Sequence, residues 1–456
     1  MKIKLPNVTL LGIDCVNVER LIEAMNASQQ NIEFGAIKLL TSLPTDDTRK
    51  VKIPHIDSIN EFSRFCIEDL YKYVDTDYVL LVQYDGFVLN PESWTDEFLK
   101  YDYIGAPWLV ADFSIRDFNF PPESLGTLIV GNGGFCLRSK NFLETSARLS
   151  NDGKIPIKHP EDVAMCVWYR DEFEKAGIKF APADLAHKFS VESKVEVYGK
   201  PFGFHGLYDE NIDALVGSYP NFPLYSFLSR RRGKLVEKIT KIFKDVAIEG
   251  HLFGSISENR ADNFSDVDIW FTFDDETFQS FSEKHFELYN QVGEVIHICE
   301  PPQNAPLNGI FSSVLYKTKV GLIMVDYYLC PISTSFITKE SKKIFGDIDL
   351  PVGEIIGFNP QKISVPETYR IDFFICFIFN SIKKLIRKKE DSLDALFREY
   401  DNLNTKYGFT LEPIIDKENN FINLEKVMGN IRNIANEKQN IALVEISKFI
   451  NQVKNK

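Results

Sequence analysis

The sequence predicts a mixed α/β protein in which two α/β portions are followed by a helical C-terminal region. Three observations support this fold class. Strand-like and helix-like segments alternate over the first 85 residues, a second group of strand-like segments runs from 246 to about 350, and helical spacing of apolar residues dominates from 366 onward. At 456 residues the chain is long for one domain, so we expect about two or three.

The first portion is predicted to contain a largely parallel sheet. Apolar runs suited to buried strands alternate with segments of helical periodicity. The strands are predicted at 8–13, 34–42 and 77–85, and the helices at 18–28 and 59–74. Ligands of such sheets bind at the carboxyl ends of the strands, and Asp85 lies at such an end.

A change of composition near residue 220 predicts a domain boundary. The stretch SYPNFPLYSF (218–227) is rich in proline and aromatic residues, and a basic amphipathic stretch follows it. We therefore expect a first domain at 1–228, a second at 234–352, and a helical region at 366–456 that belongs with the second.

Composition and charge narrow the class of protein. Hydrophobic residues make up 44% and charged residues 26%, which is typical of globular domains. The net charge of -13 argues against nucleic acid or anionic membrane as a partner. No apolar run approaches the length of about 18 residues that spans a membrane. Asp14 interrupts the first apolar run, so no signal peptide is expected.

The seven cysteines are scattered and include no CxxC pair, which predicts reduced core thiols in a cytoplasmic protein. No zinc site is expected from this pattern. The oligomeric state stays open.

The first candidate site begins with Asp85 in LLVQYDGF (80–87). A carboxylate at the end of a strand can bind a Mg²⁺ or Mn²⁺ ion that bridges a diphosphate. Alternatively, Asp85 accepts hydrogen bonds from backbone amides of its own turn. Further along, GNGGF (131–135) is rich in glycine, which allows close approach of a ligand or a positive φ.

Two later motifs add titratable side chains. Glu161 and Asp162 begin an amphipathic helix, where acids either cap the helix or act as a general base. His205 lies in FGFHG (202–206), where it is either a structural residue or a metal ligand in its neutral form.

In this order QYDGF, YDYIGAPW (101–108), GNGGF, PED and FGFHG resemble the DUF5672 family, which is related to glycosyltransferases of the GT-A fold. The resemblance covers about residues 5–215. It implies a Rossmann-like GT-A domain that uses Mn²⁺ or Mg²⁺ and a nucleotide-sugar donor.

The resemblance also implies roles for individual residues. Asp85 matches the second aspartate of the family's DxD motif, and Gln83 replaces the first. His205 is similar to the C-terminal metal-binding histidine of GT-A enzymes. Asp162, with Glu161 second, is expected to be the catalytic base, and an in-line base would invert the anomeric centre.

Two further groups are implied to contact the substrates. Gly131, Asn132, Gly133 and Gly134 would line the donor and acceptor sugars, and the segment from Gly12 to Asp14 would contact the nucleobase.

The second candidate site is carried by the stretch FGSISENRADNFSDVDIWFTF (253–273). A strand-like segment ends in Gly254-Ser255, and a period-two strand then places Asp266 and Asp268 on one face. Two such carboxylates repel each other unless a cation lies between them. Asp326 lies in another apolar strand pattern (321–331), where an unpaired buried acid is costly. The alternative is a surface strand with solvated acids.

This arrangement resembles the nucleotidyltransferase fold of the DNA polymerase β superfamily. With QNAPLNG (303–309) and the helical tail, it looks most like the small-molecule enzymes that adenylylate aminoglycosides and lincosamides. The resemblance implies that Gly254 and Ser255 hold the triphosphate of an NTP. Asp266 and Asp268 would bind two metal ions, and Asp326 would complete the site and act as base.

The helical region is expected to cover the nucleotide or shape the acceptor pocket. Its basic cluster is either a solvated helix face or a surface that faces a nucleotide or anionic substrate. The cluster comprises Lys383, Lys384, Arg387, Lys388 and Lys389.

Together, the two sites predict a bifunctional transferase. Sugar transfer and nucleotidyl transfer would both act in the synthesis or modification of a bacterial surface glycan or glycolipid. One alternative is a phage-encoded glycosyltransferase that modifies DNA bases, although the acidic balance argues against it. Another is a non-catalytic sugar- or nucleotide-binding regulatory protein, for which Gln83 is the support.

Overall fold

The computed structural model describes residues 2–192, 199–207, 209–219, 222–354, 369–387, 393–412 and 420–454. The chain divides into two compact units, Met1–Phe222 and Pro223–Lys456. Residues 228–234, where the composition placed the boundary, lie at the start of a helix of the second unit, Leu228–Phe243. Each unit has its own central sheet.

The first unit is built on a six-stranded sheet with strand order β3-β2-β1-β4-β8-β5. Neighbouring strands are parallel except at β8, which is antiparallel to β4 and β5, so the predicted largely parallel sheet is confirmed. The strands of this unit are β1 (Ile3–Ile13), β2 (Ile32–Thr41), β3 (Lys50–Lys52), β4 (Tyr78–Val82), β5 (Tyr103–Gly105), β6 (Pro107–Leu109), β7 (Leu128–Val130), β8 (Phe135–Ser139), β9 (Ser190–Val191) and β10 (Gly203–Phe204).

Helices of the first unit pack around this sheet: α1 contacts β1 and β2, and α4 contacts β8 and α2. They are α1 (Val18–Gln29), α2 (Ile59–Glu68), α3 (Asp112–Phe118), α4 (Lys140–Asn151), α5 (Glu161–Val163), α6 (Arg170–Lys175), α7 (Ala183–Phe189) and α8 (Asp209–Ser218). The helix expected at 59–74 ends at Glu68, and a single 3₁₀ turn continues from Leu70 to Tyr73.

The central strands β1 and β4 are continuous apolar runs because both faces of the sheet are covered. Leu10 and Leu11 are fully buried, as are Val79 and Leu80. The predicted strands at 8–13 and 77–85 therefore correspond to the most buried part of the unit. Their carboxyl ends carry Asp14 and the turn that contains Asp85.

A second, smaller core holds the segment 107–130, which comprises β6, α3 and β7. Val110 and Phe120 of this segment pack with Val163 of α5, and Trp108 and Trp168 pack against them. The β6–β7 pairing closes the segment as an antiparallel ribbon. The segment is therefore anchored to the helix that carries Glu161 and Asp162.

The second unit contains a six-stranded sheet with strand order β13-β14-β15-β12-β11-β16. Strands β12 and β15 are parallel, and the other neighbours are antiparallel. The strands are β11 (Glu249–Phe253), β12 (Val267–Phe273), β13 (Glu294–Cys299), β14 (Ile310–Thr318), β15 (Gly321–Pro331) and β16 (Lys342–Phe345).

Helices of this unit flank the sheet: α9 contacts β12 and β15, and α16 contacts β13 and β15. They are α9 (Leu228–Phe243), α10 (Gly254–Ser257), α11 (Asp275–Phe281), α12 (His285–Val292), α13 (Arg370–Ile386), α14 (Asp394–Tyr407), α15 (Asn420–Arg432) and α16 (Glu437–Val453). The C-terminal portion is helical as predicted, and 366–368 lie outside the described residues.

Both faces of β12 are covered, which differs from the alternating pattern expected for it. Ile269, Phe271 and Phe273 are buried on one face, and Trp270 and Thr272 on the opposite face are buried as well. Asp268 shares that second face and is therefore not on a solvated surface strand.

None of the helices in the described ranges is both long and apolar enough to cross a membrane. All seven cysteines are free and buried, in agreement with the expectation of core thiols.

Candidate active sites

Asp85 lies at the tip of a tight turn directly after β4. The backbone amides of Gln83 and Gly86 each donate to the other residue's carbonyl over 3.1 Å, which closes the turn around Tyr84 and Asp85. Asp85 is buried, with 5% of the residue's surface exposed. The backbone of Gln83 therefore builds the turn that delivers Asp85.

His205 faces Asp85 from the end of β10. Its Nε2 lies 3.7 Å from Asp85 Oδ1, and the Gly206 amide donates to the Asp85 carbonyl over 2.8 Å. Its Nδ1 lies 3.0 Å from Asn132 Nδ2 and 3.6 Å from Glu192 Oε1. Burial alone would lower the pKa of His205, but the carboxylates of Glu192 and Asp85 raise it above its ordinary value. The Nε2 edge is thus the one directed at Asp85.

The glycine run between β7 and β8 makes room for protein side chains. A Cβ atom on Gly133 would lie 2.5 Å from Glu161 Oε1, and one on Gly134 would lie 2.0 Å from His205 Cδ2. At Gly131 the neighbour is the Trp108 ring, at 2.1 Å. The space that the sequence suggested for a ligand at 131–134 is therefore used to bring these side chains together.

Asn132 fixes the shape of this run. Its φ of 68° lies in the left-handed region, which asparagine tolerates better than most residues. Its Oδ1 accepts hydrogen bonds from the amides of Gly134 and Phe135, at 3.2 and 3.3 Å. Because its Nδ2 contacts His205, Asn132 links the run to the histidine.

Asp162 lies at the edge of a cleft with a volume of about 680 Å³. Its Oδ2 accepts from the Gly133 amide and its Oδ1 from the Val163 amide, both at 2.9 Å. These bonds hold the carboxylate and leave each oxygen a further lone pair.

Glu161 has a different environment from its neighbour. Its side chain is buried, with Ser63 Oγ 3.3 Å from Oε2 and Arg138 Nη2 4.0 Å from Oε1. Burial and the charge of Asp162 raise the pKa of Glu161 to about 7, although Arg138 opposes the shift. Of the two predicted acids, Asp162 is the one that lines the cleft.

The segment predicted to contact a nucleobase lines a separate cavity of about 250 Å³ through Asp14. Asp14 Oδ1 accepts from the amides of Val16 and Asn17, at 2.7 and 2.8 Å, before α1 begins. Its Oδ2 accepts from Arg20 Nε at 2.9 Å, and the Arg20 guanidinium lies 3.8 Å from the centre of the Tyr84 ring. Gly12 instead faces the core, where an added Cβ atom would lie 2.8 Å from Leu21.

Glu192 was missed by the sequence analysis and connects the cleft to His205. It accepts a hydrogen bond from Trp108 Nε1 at 2.6 Å. Burial favours its protonated form, but the contacts with His205 and Trp108 lower its pKa below the ordinary value. No local pattern marks Glu192, since only the parallel pairing of β9 with β10 brings it beside His205.

In the second unit, Asp268 and Asp326 are paired residues on the parallel strands β12 and β15. Ser313 on β14 is the register partner of Asp326 on the other side and donates its hydroxyl to Asp326 Oδ1. Burial and the neighbouring acid Asp266 raise the pKa of Asp268 to about 7. Burial, with Asp268 and Asp266, also holds the pKa of Asp326 well above its ordinary range. The three predicted acids are therefore close enough to repel one another.

Lys383 of α13 supplies the positive charge at this cluster. Its side chain is buried, and its Nζ lies 2.6 Å from Asp266 Oδ2. Burial would raise the pKa of Asp266, but the Lys383 ammonium outweighs it and keeps the pKa below the ordinary value. A signal for this residue exists in the sequence, because Lys383 follows Phe379 by four residues and Cys376 by seven, on the apolar face of the helix.

Gly254 and Ser255 begin α10 at the end of β11. Gly254 has a φ of 68°, and a Cβ atom there would lie 2.4 Å from Asp268 Oδ2. Glycine at this position thus lets the backbone approach the carboxylate that the sequence analysis assigned to metal binding.

The remaining basic residues show that the cluster on α13 is not uniform. Arg387 donates from Nε and Nη2 to the two carboxylate oxygens of Asp262, at 2.7 and 2.8 Å. Lys384 is exposed, and Lys388 and Lys389 lie outside the described residues. The solvated-face interpretation therefore holds for Lys384 but not for Lys383.

In the part of the chain that the structure describes, no three His, Cys, Asp or Glu side chains are grouped as they would be around a bound metal ion. The carboxylates of both donor sets nevertheless suit a hard divalent cation, which prefers oxygen ligands. At the second site, Asp268 and Asp326 are buried carboxyls whose mutual repulsion a cation would relieve.

Residues 47–205 match the family described as "Protein of unknown function (DUF5672)". The expected resemblance to that family is thus confirmed over this range. No curated protein matches the chain.

Solved structures show only remote likeness. The galactosyltransferase LgtC in complex with donor and acceptor sugar analogs is 14% identical, covers 44% of this chain and 87% of its own, and gives a TM-score of 0.27. A glycosyltransferase involved in the glycosylation of the major capsid of PBCV-1 is 13% identical, covers 46% and 98%, and gives 0.27. The spectinomycin adenyltransferase AAD(9) from Enterococcus faecialis is 15% identical, covers 49% and 99%, and gives 0.17.

Proposed function

We propose that the first unit transfers a sugar from a nucleotide-sugar donor to an acceptor hydroxyl, with help from Mn²⁺ or Mg²⁺. The observation that carries this proposal is the meeting of Asp85, His205 and Asp162 around one glycine run. The confirmed DUF5672 match over residues 47–205 covers all three residues.

Asp85 and His205 are the residues that would hold the cation. Their facing atoms, Oδ1 and Nε2, would supply one oxygen and one nitrogen ligand. A divalent cation bound there would offset the charge that develops on the diphosphate leaving group. Glu192, whose Oε1 faces Nδ1, would orient the His205 ring by accepting from that nitrogen, as carboxylates behind a metal-binding histidine do.

Asp162 is the proposed base. It lines the cleft, where two backbone amides hold its carboxylate, which would take a proton from an acceptor hydroxyl. The buried Glu161 would act behind it as a positioning residue. An in-line attack assisted by Asp162 would invert the anomeric centre.

We propose nucleotidyl transfer for the second unit. The support is the register of Asp268 with Asp326, the approach of Gly254 to Asp268, and the adjacent Asp266. These residues would bind one or two divalent cations and the triphosphate of an NTP. Asp326 would then be placed to accept a proton from the attacking hydroxyl. A glycan or glycolipid is the proposed acceptor of both units, in a bacterial surface polymer.

Turnover of donors tests the first half of the proposal. The full chain would be incubated with a panel of nucleotide-sugars and Mn²⁺, and release of the nucleoside diphosphate would be measured. We expect hydrolysis of at least one donor, its loss on chelation, and a large reduction of acceptor-dependent transfer in Asp162→Asn.

Absence of turnover across the panel, or hydrolysis that survives chelation and Asp85→Asn, would count against sugar transfer. The anomeric configuration of the product, read by NMR, tests the role of Asp162, because retention would remove it as an in-line base.

A further inference from the structure

Exposed apolar side chains are concentrated in the segment 107–130, beside the proposed base. Leu109, Phe113 and Phe118 expose 64%, 54% and 38% of their surface, and Leu125 and Leu128 expose 52% and 42%. Scattered exposed apolar residues are normal, but a contiguous group of them typically marks a binding surface.

The backbone of this segment is held firmly, so the exposure is a property of the fold. Val110 and Phe120 fill the small core against Val163, and Trp168 Nε1 donates to the Phe118 carbonyl over 2.9 Å. The exposed side chains of the segment are therefore those that do not take part in this small core.

Three of the exposed side chains, Leu109, Phe113 and Phe118, line the 680 Å³ cleft at whose edge Asp162 lies. Among the residues that the structure describes, few polar side chains line the cleft. Asp162 and Glu192 are acids, and Ser114 Oγ already accepts a hydrogen bond from the Ala111 amide at 3.2 Å.

His187 also lines the cleft, and burial lowers its pKa below the ordinary value, so its imidazole is neutral at neutral pH. A saccharide that filled this cleft would leave most of its hydroxyls against apolar carbon, which is unfavourable. A largely apolar molecule that places one hydroxyl at Asp162 fits both the apolar lining and the carboxylate.

We propose that the cleft binds an amphipathic acceptor, in which the accepting hydroxyl is attached to an alkyl or lipid group that lies against Leu109, Phe113 and Phe118. This inference rests on the proposed sugar transfer and narrows its acceptor to a lipid-linked one. The acceptor oxygen forms a bond to the anomeric carbon as the bond to the nucleoside diphosphate breaks, and the hydroxyl proton passes to Asp162 and then to solvent.

Binding of two simple probes tests the apolar part without any turnover. Methyl and n-hexyl β-glucoside would be titrated into the full chain below micellar concentration, with tryptophan fluorescence as the signal, since Trp108 lines the cleft. Burying one methylene raises the affinity about fourfold, so burying two predicts about fifteenfold tighter binding of the hexyl compound.

Matched variants locate the site. Phe113→Ser and Leu109→Ser are expected to remove the preference for n-hexyl glucoside, whereas Leu125→Ser, in the same segment but outside the cleft lining, is expected to keep it. All three side chains are more than half exposed, so the replacements remove little buried surface from the folded protein.

Equal affinity for the two glucosides, or equal loss of the preference in Phe113→Ser and Leu125→Ser, would overturn the inference even if donor hydrolysis is intact. A hexyl preference that maps to Phe113 while no nucleotide-sugar is turned over would overturn the acceptor role and the proposed sugar transfer together. Transfer to hexyl glucoside with a lower KM than to methyl glucoside would support both.

Discussion

Glu161 and Asp162 are adjacent in sequence, yet their carboxylates have different surroundings. Asp162 is held by two backbone amides at the cleft, whereas Glu161 points into the interior towards Ser63 and Arg138. The helix start at Pro160 directs the two side chains apart. At the scale of single residues, Asp162 is therefore accessible from the cleft, whereas Glu161 is buried behind it.

The raised pKa of the buried Glu161 should appear in the pH dependence of the free energy of unfolding. Its folded pKa of about 7 lies above the ordinary value of 4.5, so the folded state holds the proton more tightly. Protonation of Glu161 therefore stabilises the folded state. This stabilisation is complete below pH 4.5, the ordinary pKa, and is lost as the pH rises through about 7. The loss is at most about 3 kcal/mol in the free energy of unfolding.

Glu161→Gln should lack this component. Unfolding by urea at pH 5 and pH 8 would be compared between wild type and variant, with the exposed Glu123→Gln as control. A variant with the same pH dependence as wild type would show that Glu161 titrates normally.

The positions of Asp85 after its strand and of Asp268 within one are as predicted, because both stand in a distinctive local pattern, and their roles stay predictions. Glu192 was missed, because the contact with Trp108 joins residues 84 positions apart. Lys383 was also misjudged: the apolar face of α13 marks this residue as buried, but does not show its pairing with Asp266 across 117 positions. Local sequence carries no information about such partners.

At the scale of elements, the glycine run after β7 is a packing junction. Its residues have no Cβ where Trp108, Glu161 and His205 approach. Close approach at these glycines was predicted, and side chains of the protein make it. The predicted contact with a sugar stays a prediction.

Gly134→Ala should displace the His205 ring, because the new Cβ would lie 2.0 Å from it. We expect a stability loss of about 1–3 kcal/mol, typical of overpacking, together with weaker Mn²⁺ binding. Thermal unfolding and calorimetric titration with Mn²⁺ would measure the two effects. Gly217→Ala is the control, since nothing lies within 4 Å of a Cβ atom there. Unchanged Mn²⁺ affinity in Gly134→Ala would show that His205 does not bind the metal ion.

Helix α13 brings a lysine to the acidic cluster of the second sheet, and this contact defines another prediction. Lys383→Met should lower stability by about 1–3 kcal/mol in EDTA, because Asp266 loses its charged partner. Mg²⁺ should stabilise the variant more than the wild type, since no ammonium then competes for the carboxylate.

Thermal unfolding with and without Mg²⁺ measures this difference, and the exposed neighbour in Lys384→Met serves as control. If Mg²⁺ stabilises Lys383→Met no more than it does the wild type, the cation does not compete with Lys383 for Asp266.

On the scale of the whole chain, two compact units each contain a sheet and a candidate site of their own. Alternating strands and helices leave a strong periodic signal in the sequence, and the two α/β portions were predicted from it. It did not predict that β8 would run antiparallel, nor that β12 would be covered on both faces, since strand direction and layering depend on contacts distant in sequence.

Two substitutions should separate the activities. Asp85→Asn is expected to lower sugar transfer by at least about a hundredfold and to spare nucleotidyl transfer, and Asp268→Asn should do the reverse. The magnitude follows from the roughly 10–100-fold losses seen when residues behind a metal ligand are removed. Both reactions would be assayed on each variant. A folded variant that has lost both activities would contradict two independent sites.

The pairing of Asp268 with Asp326 has one more consequence. Adjacent strands lie about 4.8 Å apart, so the hydrogen bonds between β12 and β15 set the spacing of the two residues that carry the carboxylates. A slip of one residue in β15 would turn Asp326 to the opposite face of the sheet. Point substitutions can therefore weaken this pair, but a one-residue insertion or deletion within β15 would dismantle it.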